Sequence, residues 1–325
     1  MRLWHFFFGI KMNELGPLNK VNLHYLNHYS YVSIKGDDAM GLLDRLTTND
    51  LSSLKPMEHI YTILTSTKGK MIDLLSVLKL EDQIILGCSK NALKTILEWI
   101  DFYTFGEEIE IVIDQKDYES SMMVFGDNAV KLFNKTFDLD MSLIEGKSMY
   151  VAFNSNSDGR SKILIINKKY YHTDHYEIYS TTSILIQLIQ LFSKKEDFAI
   201  NLMNDQEFND YRIFNNIPVY PSEINENYNP LEAGLKKYIS FNKGCYVGQE
   251  VIARLDSYAK VQNKLVLIKT DNEIEADLIF NDVKIGQITS HTSEGYFNGV
   301  YKLAYVKKKF LNDNYDSFEI QNIED

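Results

Sequence analysis

The sequence predicts an α+β protein, with two related α/β units followed by a small all-β module. Three observations carry that prediction. A strand, a glycine turn and an amphipathic helix occur twice, 90 residues apart. Hairpin turns punctuate the apolar runs of the first unit, and from about residue 262 short strands follow one another with no helix between them.

The two copies are SIKGDDAMGLLDR, residues 33–45, and MVFGDNAVKLFNK, residues 123–135. They align without gaps at Gly36/Gly126, Asp37/Asp127, Ala39/Ala129 and Leu42/Leu132. In each, the aspartate stands where an N-cap accepts from the free N–H groups of a first helical turn, and the apolar spacing continues at helical period. Residues 59–89 read as successive strands with hairpins at Lys68-Gly69 and Glu81-Asp82, and residues 91–101 as a helix. In the second unit HYEIYS is a strand, residues 182–192 an apolar helix, and residues 205–213 a further helix ending before Asn215-Asn216. KLVLIKT, DLIFN, VKIGQITS and YKLAYVKKKF supply the final strands. The expected organisation is a region over 1–261 made of two subdomains, about 1–120 and 121–261, with their interleaving left open, and a C-terminal β-barrel over 262–325.

At 325 residues, with 45% hydrophobic and 24% charged residues, the chain can bury a full core without staples. A net charge of −11 argues against nucleic-acid binding, which needs clustered Lys and Arg to displace counterions. Cys88 and Cys245 lie far apart with no CxxC, so neither a disulfide framework nor a thiolate metal site is indicated, and a reducing, cytoplasmic setting is expected. Trp4 to Ile10 is apolar but short, lacks a cleavage site and meets Lys11, so it reads as an N-terminal extension or early strand. Gln187 and Gln190 break the longest later apolar stretch, which cannot span a bilayer.

The octet KGCYVGQE, residues 243–250, concentrates the chemistry. YISF before it alternates like a strand and QEVIARL, which starts inside it, has helical composition, which puts Cys245 on a turn. Lys243 and the following helix N-terminus would favour the nucleophilic thiolate. Gly244 and Gly248 remove bulk on both flanks, so a ligand or another backbone can approach the sulfur. The residues allow either a functional thiol or a small hydrophobe in a Gly-rich turn. Cys88, within IILGCS, reads as core.

KGCYVGQEVIARL resembles the signature of the YgfZ family, Lys-Gly-Cys-aromatic-x-Gly-Gln-Glu followed by Ala-Arg. It matches at Lys243, Gly244, Cys245, Tyr246, Gly248, Gln249, Glu250, Ala253 and Arg254. More widely, the chain is similar to the folate-binding superfamily that includes aminomethyltransferase, the T-protein of glycine cleavage. Residues 45–73, with Thr48-Asn49-Asp50 and Gly69, resemble its early block, Tyr176-Glu177-Ile178 its Gly-Tyr-Glu-Ile strand, and NPLEAGL a later segment. The similarity covers roughly residues 28–310.

The resemblance implies a T-protein-like ring of three domains around a central hole that binds tetrahydrofolate or a one-carbon derivative. It also implies a YgfZ-type role in assembling or repairing iron–sulfur clusters, with client enzymes or cluster-assembly proteins as partners. Cys245 would be the functional thiol, supported by Lys243 and Arg254. Asn49, Asp50, Tyr61, Glu177, Arg212, Tyr246, Gln249 and Glu250 would serve the folate, with Glu177 accepting from pterin N–H groups and Tyr61 or Tyr246 stacking on the ring. Tyr61 reads equally well as a strand aromatic of the core.

Departures sort the family members. After the Gly hairpin T-proteins carry two adjacent acids, but here Asp73 is followed by Leu74. Their Arg-x-Glu-x-Gly is Arg212-Ile213-Phe214-Asn215-Asn216 here, and they lack a thiol at the position of Cys245. Loss of an acid and gain of a thiol favour the YgfZ-type role. The alternatives are a folate-dependent one-carbon transferase or demethylase that retains Asp73 as its acid, and a non-catalytic folate sensor in which Cys245 only packs a turn. His172 and His175 have no third ligand nearby, His24 and His28 lack a zincin's glutamate, and there is no nucleotide-binding glycine motif.

Overall fold

The computed structural model describes residues 20–113, 118–140, 147–155, 159–170, 173–270, 276–294, 299–313, 315 and 318–322. The apolar N-terminal stretch and His172 lie outside them. Strands and helices alternate as β1 (Lys20–Tyr25), β2 (Tyr29–Lys35), α1 (Ala39–Leu46), β3 (His59–Thr65), β4 (Met71–Lys79), β5 (Ile84–Ser89), α2 (Leu93–Phe102) and β6 (Glu110–Val112). The pattern returns as β7 (Ser120–Phe125), α3 (Ala129–Phe137), β8 (Ser148–Ser155), β9 (Gly159–Tyr170), β10 (Thr173–Ser180), α4 (Thr182–Ser193) and β11 (Ala199–Leu202).

The repeat is structural as well as sequential. One sheet has the order β3-β4-β5-β2-β6 and the other β8-β9-β10-β7-β1-β11. The five strands of the first match β8-β9-β10-β7-β1 of the second, with β1 beside β7 where β6 stands beside β2, and β11 adds a sixth strand at the second sheet's edge. Thus β1, which precedes the first unit in sequence, belongs to the sheet of the second. Both glycines of the repeat are required: Gly36 and Gly126 have φ of +111° and +114°. A Cβ would lie 1.9 Å from Glu108 O at the first and 2.7 Å from Lys20 O at the second.

The aspartates after these glycines do not cap, contrary to expectation. Asp38 and Asn128 occupy the cap positions without a side-chain bond to their helices, and Asp38 Oδ2 instead accepts from Glu108 N–H (3.0 Å). The left-handed glycines bring their own carbonyls round to accept from Ala39 and Ala129 N–H (3.2 and 3.0 Å), so the first turns close on backbone.

Side-chain alternation builds four layers. Helices α1 and α2 cover one face of the first sheet through Leu42, Leu43, Ile96 and Ile100, and α3 and α4 cover the second through Leu132, Phe133, Leu185 and Leu188. The opposite faces meet, Tyr31, Leu78 and Ile85 against Leu164, Ile166 and Tyr179. Ile163, Ile165 and Ile178 face helices, and their neighbours in sequence face the other sheet.

After β11 come α5 (Asp205–Phe214), opened by a capping box of Asn204 and Glu207, a long irregular segment, and α6 (Gln249–Ser257). The all-β module follows as a five-stranded antiparallel sheet made of β12 (Asn263–Thr270), β13 (Asp277–Phe280), β14 (Val283–His291), β15 (Val300–Lys307) and β16 (Glu319–Asn322), in the order β13-β14-β15-β12-β16. Its Leu265, Leu267, Tyr301 and Tyr305 join Tyr61, Ile63 and Tyr246 in one core. Residues 238–241 are not the strand their alternation suggests. A 3-10 turn covers Lys236–Tyr238, and the consecutive Tyr238 and Ile239 both point inward. Their backbone pairs with Thr48, whose Oγ1 donates to Tyr238 O (2.7 Å) and whose carbonyl accepts from Ser240 N–H (2.9 Å). Among the described residues no helix is long and apolar enough to cross a membrane.

Candidate functional site

Where the inner faces of the two sheets meet, part of the apolar layer gives way to a polar one. Lys168 of β9, 1% exposed at its side chain, donates to Glu177 Oε2 (2.6 Å), to Tyr179 OH (2.8 Å) and, across the interface, to Ser76 Oγ of β4 (2.9 Å). Tyr179 OH donates to the same Glu177 oxygen (2.7 Å), and His59 Nε2 lies 2.9 Å from Ser76 Oγ. The Lys168 ammonium also stands 5.6 Å from the Tyr61 ring centroid and 5.3 Å from that of Tyr179, within cation–π range. Burial alone would push the Glu177 carboxyl up, but the Lys168 ammonium and His175 outweigh it and hold it well below the usual carboxylate range. Burial, with Lys168 next, keeps His59 well below its ordinary value and therefore neutral near pH 7. His59 and Tyr29 are half-buried.

Asp73, also on β4, is buried. Its oxygens accept from Ser89 N–H (2.7 Å) and Ser89 Oγ (2.9 Å), and burial, opposed by these bonds, pushes its carboxyl up to about 6.

The octet folds as an anchored loop. Lys243 Nζ donates to Asp44 O (2.6 Å), Asp44 Oδ1 (2.8 Å), Thr47 O (3.0 Å) and Asn49 O (2.6 Å). An ammonium has three N–H groups, so its donors are all engaged. Its charge is met by Asp44, and it pins the loop to the end of α1. Val247 N–H donates to Arg45 O (3.1 Å), and Val247 O accepts from Thr65 Oγ1 (2.7 Å). Gly248, at φ +86°, packs so close that a Cβ would lie 2.6 Å from Ser66 O, and α6 starts at the next residue. Gln249 Oε1 accepts from Tyr246 N–H (3.3 Å), while Glu250 and Arg254 face solvent on α6.

Within this loop Cys245 and Tyr246 part company. The Tyr246 ring is buried beside Tyr61 and Tyr238, and its hydroxyl has no partner among the described residues. Cys245 is exposed and lines a cleft of about 290 Å³ with Arg45, Leu46, Tyr103, Phe105, Tyr246 and Val247. Cys88 is buried as expected, and burial, then Asp73, pushes its thiol up to about 12. Glu177, Lys168 and Asp73 are not among the residues lining the Cys245 cleft.

Other candidates are bound up in the fold. Asn49 Nδ2 donates to Tyr61 O (2.9 Å) and its N–H to Thr62 Oγ1 (2.8 Å). Asp50 accepts from Ser52 Oγ (2.6 Å) and Ser52 N–H (3.0 Å), bonds that lower its carboxyl. Arg212 donates through Nε to Asn209 (2.9 Å), through Nη1 to Glu223 (3.1 Å) and Ile217 O (3.3 Å), and through Nη2 to Ser290 (2.8 Å). It thus ties α5 to β14. Sequence reasoning missed Lys168, Ser76, Tyr179 and His59. A signal existed for the first: in ILIINKK, Lys168 falls on the same side of the strand as Leu164 and Ile166.

The chain matches the GCVT N-terminal domain over residues 17–243, a span that ends where the octet begins. It is 24% identical over 302 residues to an aminomethyltransferase of a Thermoanaerobacter species, covering 90% of this chain and 80% of that protein. With an aminomethyltransferase of Oceanobacillus iheyensis the identity is 29% over 316 residues, covering 92% and 82%. Its fold is similar to the crystal structure of glycine cleavage system aminomethyltransferase T from Bartonella henselae, with a TM-score of 0.74 at 18% identity over 90% of this chain and 80% of that one.

Proposed function

Since the chain belongs to the GCVT N-terminal domain family, we propose that it binds tetrahydrofolate or a one-carbon derivative between its two α/β sheets and acts, through the Cys245 thiol, as an accessory protein for assembly or repair of iron–sulfur clusters. On this proposal residues 1–261 form the folate-binding region and the clients are iron–sulfur enzymes of a reducing, cytoplasmic compartment. Neither a membrane nor a nucleic acid is a partner.

The interior suits such a ligand. The amino and ring N–H groups of a pterin are donors and call for an ionised carboxylate, which Glu177 is. Its flat ring calls for aromatic walls, and Tyr61 and Tyr246 bring these, with the Tyr246 hydroxyl still lacking a partner among the described residues. Bound there, the folate would supply a carrier for a one-carbon unit. The protein's share is to hold the pteridine, exclude water and keep Glu177 ionised.

The exposed thiol supports the accessory role over group transfer. Cys245 is open to a partner in an aromatic-walled cleft, whereas Asp73, the acid on which transfer would depend, is buried with both oxygens on Ser89. Transfer remains the second reading, favoured by relatives named aminomethyltransferase and by the retention of Asp73. Complementation of a strain lacking this protein separates the two. Cys245→Ala should abolish support of iron–sulfur enzyme activities and Asp73→Asn should preserve most of it. Full support by Cys245→Ala would remove the accessory role, and equal loss with Asp73→Asn alone would favour transfer.

A further inference from the structure

Glu177 is held by more than its own strand. The three N–H groups of Lys168 match its three acceptors, so the ammonium has no donor left for a ligand. Two of those bonds, with the one from Tyr179 OH, converge on Glu177 Oε2 or its immediate neighbour and fix the carboxylate's orientation. The other oxygen, Oε1, has His175 Nε2 at 3.6 Å, a looser contact than the two on Oε2. Lys168 is also bonded to Ser76 of the facing sheet, so the carboxylate's place is set relative to both walls.

Resting on the folate site proposed above, we infer that Lys168 is a positioning residue for the pterin, holding Glu177 as an anion with Oε1 presented to the ligand's N–H groups, and thereby setting the pH range over which folate binds. Of the other titratable groups around Glu177, His175 also acts to lower its carboxyl, and the rest bring no positive charge. Tyr179 on β10, Tyr61 on β3, and Tyr29 and Tyr31 on β2 all have hydroxyls pushed far up, first by burial, and stay protonated. His59 on β3 is neutral, and His28 beside β2 is held down to about 4 by desolvation and by His24. His175, on β10 itself, adds to Lys168 in lowering the Glu177 carboxyl. Lys168 brings its ammonium to within 2.6 Å of the carboxylate, and burial, opposed by Glu177, lowers its own pKa. Without Lys168, desolvation would act on the Glu177 carboxyl with much less opposition, and protonation would compete with ligand binding near neutral pH.

The test is anaerobic fluorescence titration with tetrahydrofolate, from about pH 5.5 to about pH 8.5, of the wild-type protein, Lys168→Met, Glu177→Gln and the double variant. The wild-type Kd should change less than about threefold over that range, while the Lys168→Met Kd should weaken by up to about tenfold per pH unit on the acid side, the signature of one linked proton. A purely structural lysine would lower stability without introducing that slope. In the Glu177→Gln background, Lys168→Met should change the Kd less than about twofold, since it acts through the carboxylate. Wild-type binding matched by Lys168→Met with a flat profile would overturn this inference alone, and no binding by the wild-type protein would overturn the folate site as well. If Lys168→Met does not fold, the double variant buries no lone charge and carries the test. Binding tenfold or more weaker than that of Glu177→Gln alone would show that Lys168 does not act through Glu177.

Discussion

Replacing Lys243 with methionine keeps most of the apolar stem and removes the ammonium that draws Asp44, Thr47 and Asn49 onto the octet. The Lys243 side chain is 1% exposed, so water does not replace it while the loop stays folded, whereas Asp44, 20% exposed, can rehydrate in part. Removing one partner of a buried pair costs about 3–5 kcal/mol, and the partial exposure of Asp44 places this case at the lower end, about 3 kcal/mol. At about 2 °C per kcal/mol, the low end suited to a chain of this length, the melting midpoint should fall by about 6 °C. Differential scanning calorimetry of Lys243→Met against wild type at pH 7.5 measures it. The double variant with Asp44→Asn should recover part of the loss, because the stranded carboxylate is gone. A fall of less than about 1 °C would refute the reasoning and show that the Lys243 bonds contribute almost no net stability.

Asp73 predicts a pH effect of definite sign. Its carboxyl is raised from 3.8 to about 6 in the fold, so its contribution to stability is fully present below about pH 4 and is lost as pH rises through about 6. Urea unfolding from pH 4 to 7 should show Asp73→Asn losing less stability than wild type by about 2 kcal/mol, and parallel profiles would contradict this. Gly248→Ala combines a left-handed φ with a Cβ 2.6 Å from Ser66 O, so it should cost at least about 2 kcal/mol, and an unchanged thermal midpoint would count against the close packing of the loop on the β3–β4 turn. Iodoacetamide should add one label to the native protein, at Cys245, and two after denaturation. Mass spectrometry showing Cys88 modified in the native state would contradict its burial.

Much of the fold is legible because its signals are local. The Gly36 and Gly126 turns stand out since only glycine meets both the positive φ and the nearby carbonyl, and the hairpins and most helices follow from turn residues and period. What stayed hidden depends on contacts between distant segments. Nothing in KVNLHY reveals that β1 pairs with β7, almost 100 residues on. YISF alternates like a strand, but Thr48 takes up its backbone and Tyr238 and Ile239 are buried side by side. The octet marks Cys245 and Lys243 as special, yet it cannot show that the lysine's partner lies 199 residues away. Glu177 was found through resemblance. Lys168, which decides its charge, needed the register of β9 against β10 and the facing Ser76.

A crystal structure of the protein grown anaerobically with tetrahydrofolate tests the central claim most directly. The account predicts the pteridine between the inner faces of the two sheets, hydrogen-bonded to Glu177, with the Cys245 sulfur outside its contacts. A pteridine seated in the cleft beside Cys245 and Phe105, away from Glu177, would contradict it.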